Sequence, residues 1–218
     1  MVRAGKVSVA RRERQRRVAP ARASCEAIPE NMQRKLRAPP LANPFHVCLV
    51  DPEIPQNTGN IARLCAATQS RLHLVGRLGF RIDQRAVRRA GIDYWHLVDL
   101  SLHPDFGTFA LTHERVAPTG RVRIFSAQGA RSYLTCDYQP GDALVFGRES
   151  TGVPREVVDR FPDEVYGIPT LGAVRSLNLA SAAAIVVFEA LRKVGALDHP
   201  APESTPSGAL AEPDDFVG

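Results

Sequence analysis

Short runs of β-forming residues alternate with helical segments along the middle of this chain, and that alternation limits the fold more than any other feature. Residues 45–50, 72–76, 122–126, 143–147 and 164–168 are brief, mostly apolar and rich in β-formers, as buried strands are. Residues 61–68, 84–90, 154–160 and 177–194 read as helices. In the last of these, Leu179, Ala183, Val186, Val187, Ala190, Leu191 and Val194 recur at three-to-four spacing, over more than a narrow stripe, which predicts burial on two sides. Strands that alternate with helices need crossover connections, and these give a mostly parallel sheet covered on both faces. The expected class is therefore α/β, with ligands held in loops at the carboxyl ends of the strands.

That pattern occupies residues 43–197, the span of one domain, and charge marks its edges. Residues 1–42 carry a net charge of +8, residues 43–197 carry +2, and residues 198–218 carry −5. The first segment has an arginine cluster and few large apolar side chains. It reads as a disordered basic tail with affinity for nucleic acid, with a transit peptide or a translation start at Met32 as competing readings. The Pro-rich, acidic end from Asp198 reads as a second loose tail. No run approaches the ~20 consecutive apolar residues of a membrane helix. Four cysteines (Cys25, Cys48, Cys65 and Cys136) form no CxxC pair, so a reducing, cytoplasmic setting is expected.

Several common chemistries fail on spacing. There is no GxGxxG fingerprint for a dinucleotide. Gly147 and Gly152 have the spacing of a phosphate loop, but Val153 stands where its lysine is required. The histidines show no HExxH grouping, and no metal is expected. Three loops remain. Pro55-Gln56-Asn57-Thr58-Gly59-Asn60 follows the first strand as a polar turn able to cap the next helix, with Arg63 one turn in. Phe146-Gly147-Arg148-Glu149-Ser150-Thr151-Gly152-Val153-Pro154 joins a buried strand to a helix. Here Gly147 lacks the Cβ that would block close approach, and Pro154 suits a first helical position. Ile168-Pro169 leads through 170–174 to Arg175-Ser176-Leu177-Asn178, where Ser176 and Asn178 sit as caps for the long helix. Each loop alone is an ordinary joint between elements.

Taken together, Asn-Thr-Gly-Asn-Ile-x-Arg, Phe-Gly-x-Glu-x-x-Gly-x-Pro and Ile-Pro…Arg-Ser-Leu-Asn-Leu resemble, in order and spacing, the three motifs of the SPOUT RNA methyltransferases. Leu72-His73, Leu78-Gly79-Phe80 and Arg88-Arg89-Ala90-Gly91-Ile92-Asp93-Tyr94 resemble its TrmL branch of small tRNA ribose methyltransferases. The resemblance covers about residues 43–197. It implies a deep trefoil knot built from the second and third loops, a homodimer, S-adenosylmethionine (SAM) as methyl donor and the wobble ribose 2′-OH of tRNA, on cytidine or a modified uridine, as acceptor. Carried over by position, cofactor contacts fall at Phe125, Gly147, Ile168, Leu171, Ser176 and Leu177. Arg63 matches the motif arginine, and Asn57, Glu149, Ser176 and Asn178 match the polar positions of the catalytic site. The chain departs from the pattern at Gln69, where a glycine commonly stands, and at Ala180-Ser181.

Methyl transfer of this kind needs an in-line methyl donor, an acceptor oxygen held at ~3–3.5 Å and an outlet for the hydroxyl proton. The resemblance implies that Arg63 acts as general base. A guanidinium with a pKa above ~12 normally has no lone pair to offer, so the competing expectation is that Arg63 binds phosphate or polarises the hydroxyl while the proton leaves to water. A dimer would pool Arg71, Arg77, Arg81, Arg85, Arg88 and Arg89 of two copies into one basic surface for RNA. The alternatives are ribose methylation of ribosomal RNA and a catalytically silent RNA-binding dimer.

Overall fold

The computed structural model describes residues 36–80, 97–198 and 201–202. The expected helix at 84–90, the motif at 88–94 and most of both tails lie outside the described residues. The strands are β1 (Leu36–Arg37), β2 (His46–Val50), β3 (Arg71–Val75), β4 (Leu100–His103), β5 (Val122–Phe125), β6 (Arg131–Ser132), β7 (Ala143–Phe146), β8 (Val165–Gly167) and β9 (Ala201–Pro202). The helices are α1 (Pro55–Thr68), α2 (Phe106–Val116), α3 (Arg155–Arg160) and α4 (Leu179–Lys193). Seven strands form one sheet in the order β4-β3-β2-β7-β5-β8-β6, and every pairing in it is parallel. β1 and β9 pair antiparallel and join the two ends of the described chain.

The five strands read from sequence are present, each within a residue or two of its expected bounds. Side chains alternate across the sheet. Val47, Leu49, Leu72, Leu74, Leu144 and Phe146 face α1 and α4, where Ile61, Ala62, Cys65, Ala183, Val186, Val187 and Ala190 complete a buried core. Cys48, Val50, Val75, Ile124, Ala143 and Val145 face the other way, onto Phe109 of α2 and Val157 of α3. β4 and α2 were not expected. The run Leu-Ser-Leu-His is half polar, and α2 opens on Phe106-Gly107, which weakens helical patterning. Asp105 nevertheless marks the start of α2, because its carboxylate accepts the Thr108 N–H at 2.7 Å as an N-cap.

Two boundaries differ from the sequence reading for identifiable reasons. α1 begins at Pro55, whose fixed φ is pre-organised for a first helical position. The Asn57–Asn60 run therefore lies inside the helix instead of capping it, and Arg63 sits in the third turn. Pro154 is the residue before α3, not its first helical position. The far end of α1 explains the departure at residue 69. Gln69 caps the helix with φ 53°, in the left-handed region where glycine carries no Cβ penalty. Gln69→Gly is expected to raise stability by about 0.5–1 kcal/mol, read as a higher urea midpoint at unchanged slope.

On the α2 side of the sheet, four buried histidines line up across β2, β3, β4 and α2. His46 Nδ1 and His73 Nε2 are 2.9 Å apart, and His73 Nδ1 and His103 Nε2 are 3.0 Å apart. His113 Nε2 donates to the Gly141 carbonyl at 2.8 Å, and its ring meets His46 edge to face at 4.9 Å. On the other side of the sheet Arg123, 2% exposed, pairs with the buried Asp142 carboxylate at 3.0 Å and with Glu164.

Candidate active site

Parallel strands deliver their following loops to one edge of the sheet, and three of these loops are joined there by hydrogen bonds. The hub is Glu149. Its Oε2 accepts the Glu53 N–H at 2.9 Å, and its Oε1 accepts the Ile54 N–H at 3.3 Å and the Asn57 side-chain amide at 2.9 Å. Asn57 Oδ1 in turn accepts from Asn178 Nδ2 at 2.9 Å. Asn178 Oδ1 takes the N–H groups of Ala180 and Ser181, so the same side chain caps α4. One polar chain, Glu149–Asn57–Asn178, thus links the loops after β7 and β8 through the first turn of α1. Asn57 is 5% exposed, and a buried amide with both ends bonded has its orientation fixed.

Further contacts bind the loops after β2 and β7. Glu53 accepts the Ser150 N–H at 3.0 Å and its hydroxyl at 2.9 Å. Arg148 donates to Asp51 Oδ2 through Nη2 at 2.5 Å, and this carboxylate beside it raises the guanidinium above its ordinary pKa. Arg175 Nη2 reaches the Ser150 carbonyl at 3.3 Å. Asp51 and Glu53 were missed from sequence, because their partners lie 97 positions away. Their only signal is two acids directly after a buried strand.

Gly147 is required here, for a reason closer to home than ligand approach. A Cβ on it would lie 2.1 Å from the Gly152 carbonyl carbon and the Val153 nitrogen and 2.2 Å from the Gly152 oxygen, so any side chain would collide with the loop's own return. Arg148 and Gly152 close that loop with two backbone hydrogen bonds of 2.9 Å, and Gly152 turns it at φ 77°. Gly129 and Gly167 make a second close crossing, where a Cβ on Gly129 would meet Tyr166 and Gly167 backbone at 2.2–2.5 Å.

The structure brings Asn57, Glu149 and Asn178 into direct contact. Ser176 lies two residues from Asn178 and is exposed, Leu177 and Ile168 are half-buried, and Leu171 is fully exposed. Phe125 is 6% exposed, its ring stacked 5.3 Å from Phe146, so any ligand there meets its backbone at the end of β5. Arg63 is exposed and lies six residues beyond Asn57, ~9 Å along the helix axis. It belongs to a different face of α1 from Asn57. The loop at 170–174 presents Leu171 and Val174 to solvent, and a Cβ at Gly172 would meet nothing within 4 Å. An apolar, uncovered loop beside backbone groups is suited to a flat aromatic ligand with a polar edge, and the adenine of SAM fits that description.

The strand-end loops of an all-parallel sheet are joined here by a Glu–Asn–Asn chain, and comparison with known proteins gives the site a family. Residues 44–188 match the SpoU rRNA Methylase family, and the chain belongs to it. The tRNA (cytidine(34)-2′-O)-methyltransferase of Burkholderia ambifaria is 44% identical over 153 residues, which are 69% of this chain and 96% of that protein. A structure solved to explain 2-OH methylation of C/U34 on tRNA is 45% identical and superimposes with a TM-score of 0.64, over 70% of this chain and 97% of that one. The AdoMet-bound rRNA methyltransferase of Sinorhizobium meliloti is 28% identical, with a TM-score of 0.61 over 70% of this chain and 57% of that one.

Proposed function

We infer that this protein transfers a methyl group from SAM to the ribose 2′-OH of the wobble nucleotide of tRNA, cytidine or a modified uridine. The observation that carries the reading is the Glu149–Asn57–Asn178 chain, which joins the three loops that carry the SPOUT-like motifs. The relatives at 40–44% identity are named tRNA (cytidine(34)-2′-O)-methyltransferases and are matched over nearly their whole length. The rRNA methyltransferase is 28% identical and matched over 57% of its length, which favours tRNA over ribosomal RNA as substrate. SAM, when bound, supplies an activated sulfonium methyl. The residues that would hold it are Gly147, Ile168, Leu171, Ser176 and Leu177, with the backbone of Phe125.

Glu149 already accepts three N–H groups, so both of its carboxylate oxygens are committed to the neighbouring backbone and to Asn57. Its role is to hold the loops in register. Arg63 is the residue for substrate: its exposed guanidinium can clamp an RNA phosphate or polarise the ribose hydroxyl, while the proton passes to water. The carboxyl segment is read as threading a trefoil knot, supported by the close crossing of Gly129 over Tyr166 and Gly167. A homodimer is supported by Ile185 and Phe188 of α4, which are 37% and 50% exposed on an otherwise apolar helix. A cytoplasmic setting fits Cys48, Cys65 and Cys136, all free and buried.

The test is direct. Purified protein with labelled SAM and tRNA lacking wobble ribose methylation is expected to label the ribose at that nucleotide, and SAM alone is expected to raise the melting temperature by mass action. Saturating SAM with neither a thermal shift nor binding heat would sink the reading.

The basic tail lies outside the matched residues and holds +8 of charge. Deleting residues 1–35, which leaves β1 and the core-packed Leu41 in place, is expected to weaken tRNA binding and lower its log–log salt slope by about 0.7–0.9 for each phosphate the tail would otherwise neutralise. Turnover at saturating tRNA and the dimer mass in scattering should stay unchanged. Loss of turnover at saturation would place catalytic geometry in the tail.

A further inference from the structure

Asp51 is the first residue after β2, and its backbone is left-handed at φ 49°, a conformation that suits glycine best and that few side chains, aspartate among them, adopt. Its carboxylate has three neighbours. Oδ1 accepts the Arg77 N–H at 2.6 Å, Oδ2 accepts Nε and Nη2 of Arg148 at 3.2 and 2.5 Å, and a Cβ on Gly76 would lie 2.2 Å from Oδ1. The Asp51 side chain is 17% exposed. Arg148 immediately precedes Glu149, and on the other side Ser150 is held by Glu53. Residues 148, 149 and 150 are thus fastened in succession to residues 51–57.

We propose that Asp51, acting through Arg148, is a positioning residue of the methyl-transfer site: it sets Glu149 against the Glu53 and Ile54 amides and, by way of Asn57 and Asn178, places the cofactor loop. The inference rests on the functional reading above. It explains an aspartate where the backbone calls for glycine, because the carboxylate does at that point what glycine cannot. It also separates two costs. A merely structural ion pair would lower stability when broken, whereas Asp51→Gly relieves a left-handed side chain and removes the carboxylate in one step.

The experiment uses the full chain and two readouts. In Asp51→Gly the melting temperature is expected to hold or rise, while the Glu53 and Ile54 amides exchange about tenfold faster than in the parent. The KM for SAM is expected to rise about tenfold with kcat changed less than about threefold. Arg148→Ala should reproduce both effects, and the double variant should be no worse than either single one, as for two members of one linkage. Unchanged amide exchange in both single variants overturns the positioning role, and so does additivity in the double variant. Faster exchange with unaltered kinetics overturns its link to the reaction. A parent protein that methylates no tRNA defeats the functional reading instead, and the amide exchange still decides whether Asp51 places Glu149.

Discussion

Glu149→Ala is expected to reduce methyl transfer by about a hundredfold or more, since displacing a bound group by ~1 Å costs roughly that factor. Three donors, the Glu53 and Ile54 amides and the Asn57 side chain, lose their acceptor together. Asn57 is buried, so its freed amide carries a desolvation cost of about 1–3 kcal/mol. It can recover that cost only by turning, and turning breaks its bond to Asn178. The defect should appear in kcat/KM for SAM as well as for tRNA, because both loops move. Glu149→Gln keeps one acceptor oxygen and points an N–H at donors, so it should retain only part of the activity. Single-turnover rates with prebound tRNA would check the point. An alanine variant with near-normal single-turnover rate would mean that the loops hold their register without the hub.

The architecture was legible because its signal is local and repeated. Residues such as Val47, Leu49, Leu72 and Leu74 belong to strands buried on both faces, and continuous β-forming runs announce them. β4 and α2 were missed because their half-polar or glycine-containing runs carry little periodicity, although Asp105 and Thr108 do form a readable cap. At the site, Asn57, Glu149 and Asn178 were found through motif resemblance. Their connection to one another was not, since it joins positions 92 and 121 residues apart. Gly147 shows the limit of reasoning from residue type. Glycine correctly signals a close approach, but it does not say what approaches, and here it is the loop's own Gly152 and Val153. Gln69 is the reverse case, where a departure from a family glycine marks a position that still adopts the left-handed backbone.

The histidine row predicts a steep loss of stability in mild acid. Burial, reinforced by the charges of His113 and Arg71, pushes His46 down to about 3. Burial also holds His73 well below its ordinary value, with His46, His103, His113 and Arg71 adding to the effect. His103 and His113 are lowered as well, again chiefly by burial, partly countered by Asp105 and by the Gly141 carbonyl with Asp142. Folded-state values below the unfolded value near 6.5 mean that the unfolded chain binds protons the native row refuses. Stability is therefore full above about pH 6.5 and falls as pH drops towards the folded values. At pH 5 His46 alone contributes about 2 kcal/mol of loss, and His73, His103 and His113 add to it in the same direction. Together that is a large share of a native stability of ~5–15 kcal/mol. Urea midpoints between pH 6.5 and 5 isolate the effect, because Asp105, Asp137 and Glu189 are all shifted to lower pKa and stay ionised there. His46→Asn keeps a hydrogen-bonding group beside His73 and removes one titrating ring. It should flatten the profile by nearly one proton, about 1.4 kcal/mol per pH unit. A parent protein whose midpoint does not move between pH 6.5 and 5 would mean that the row accepts protons in the native state.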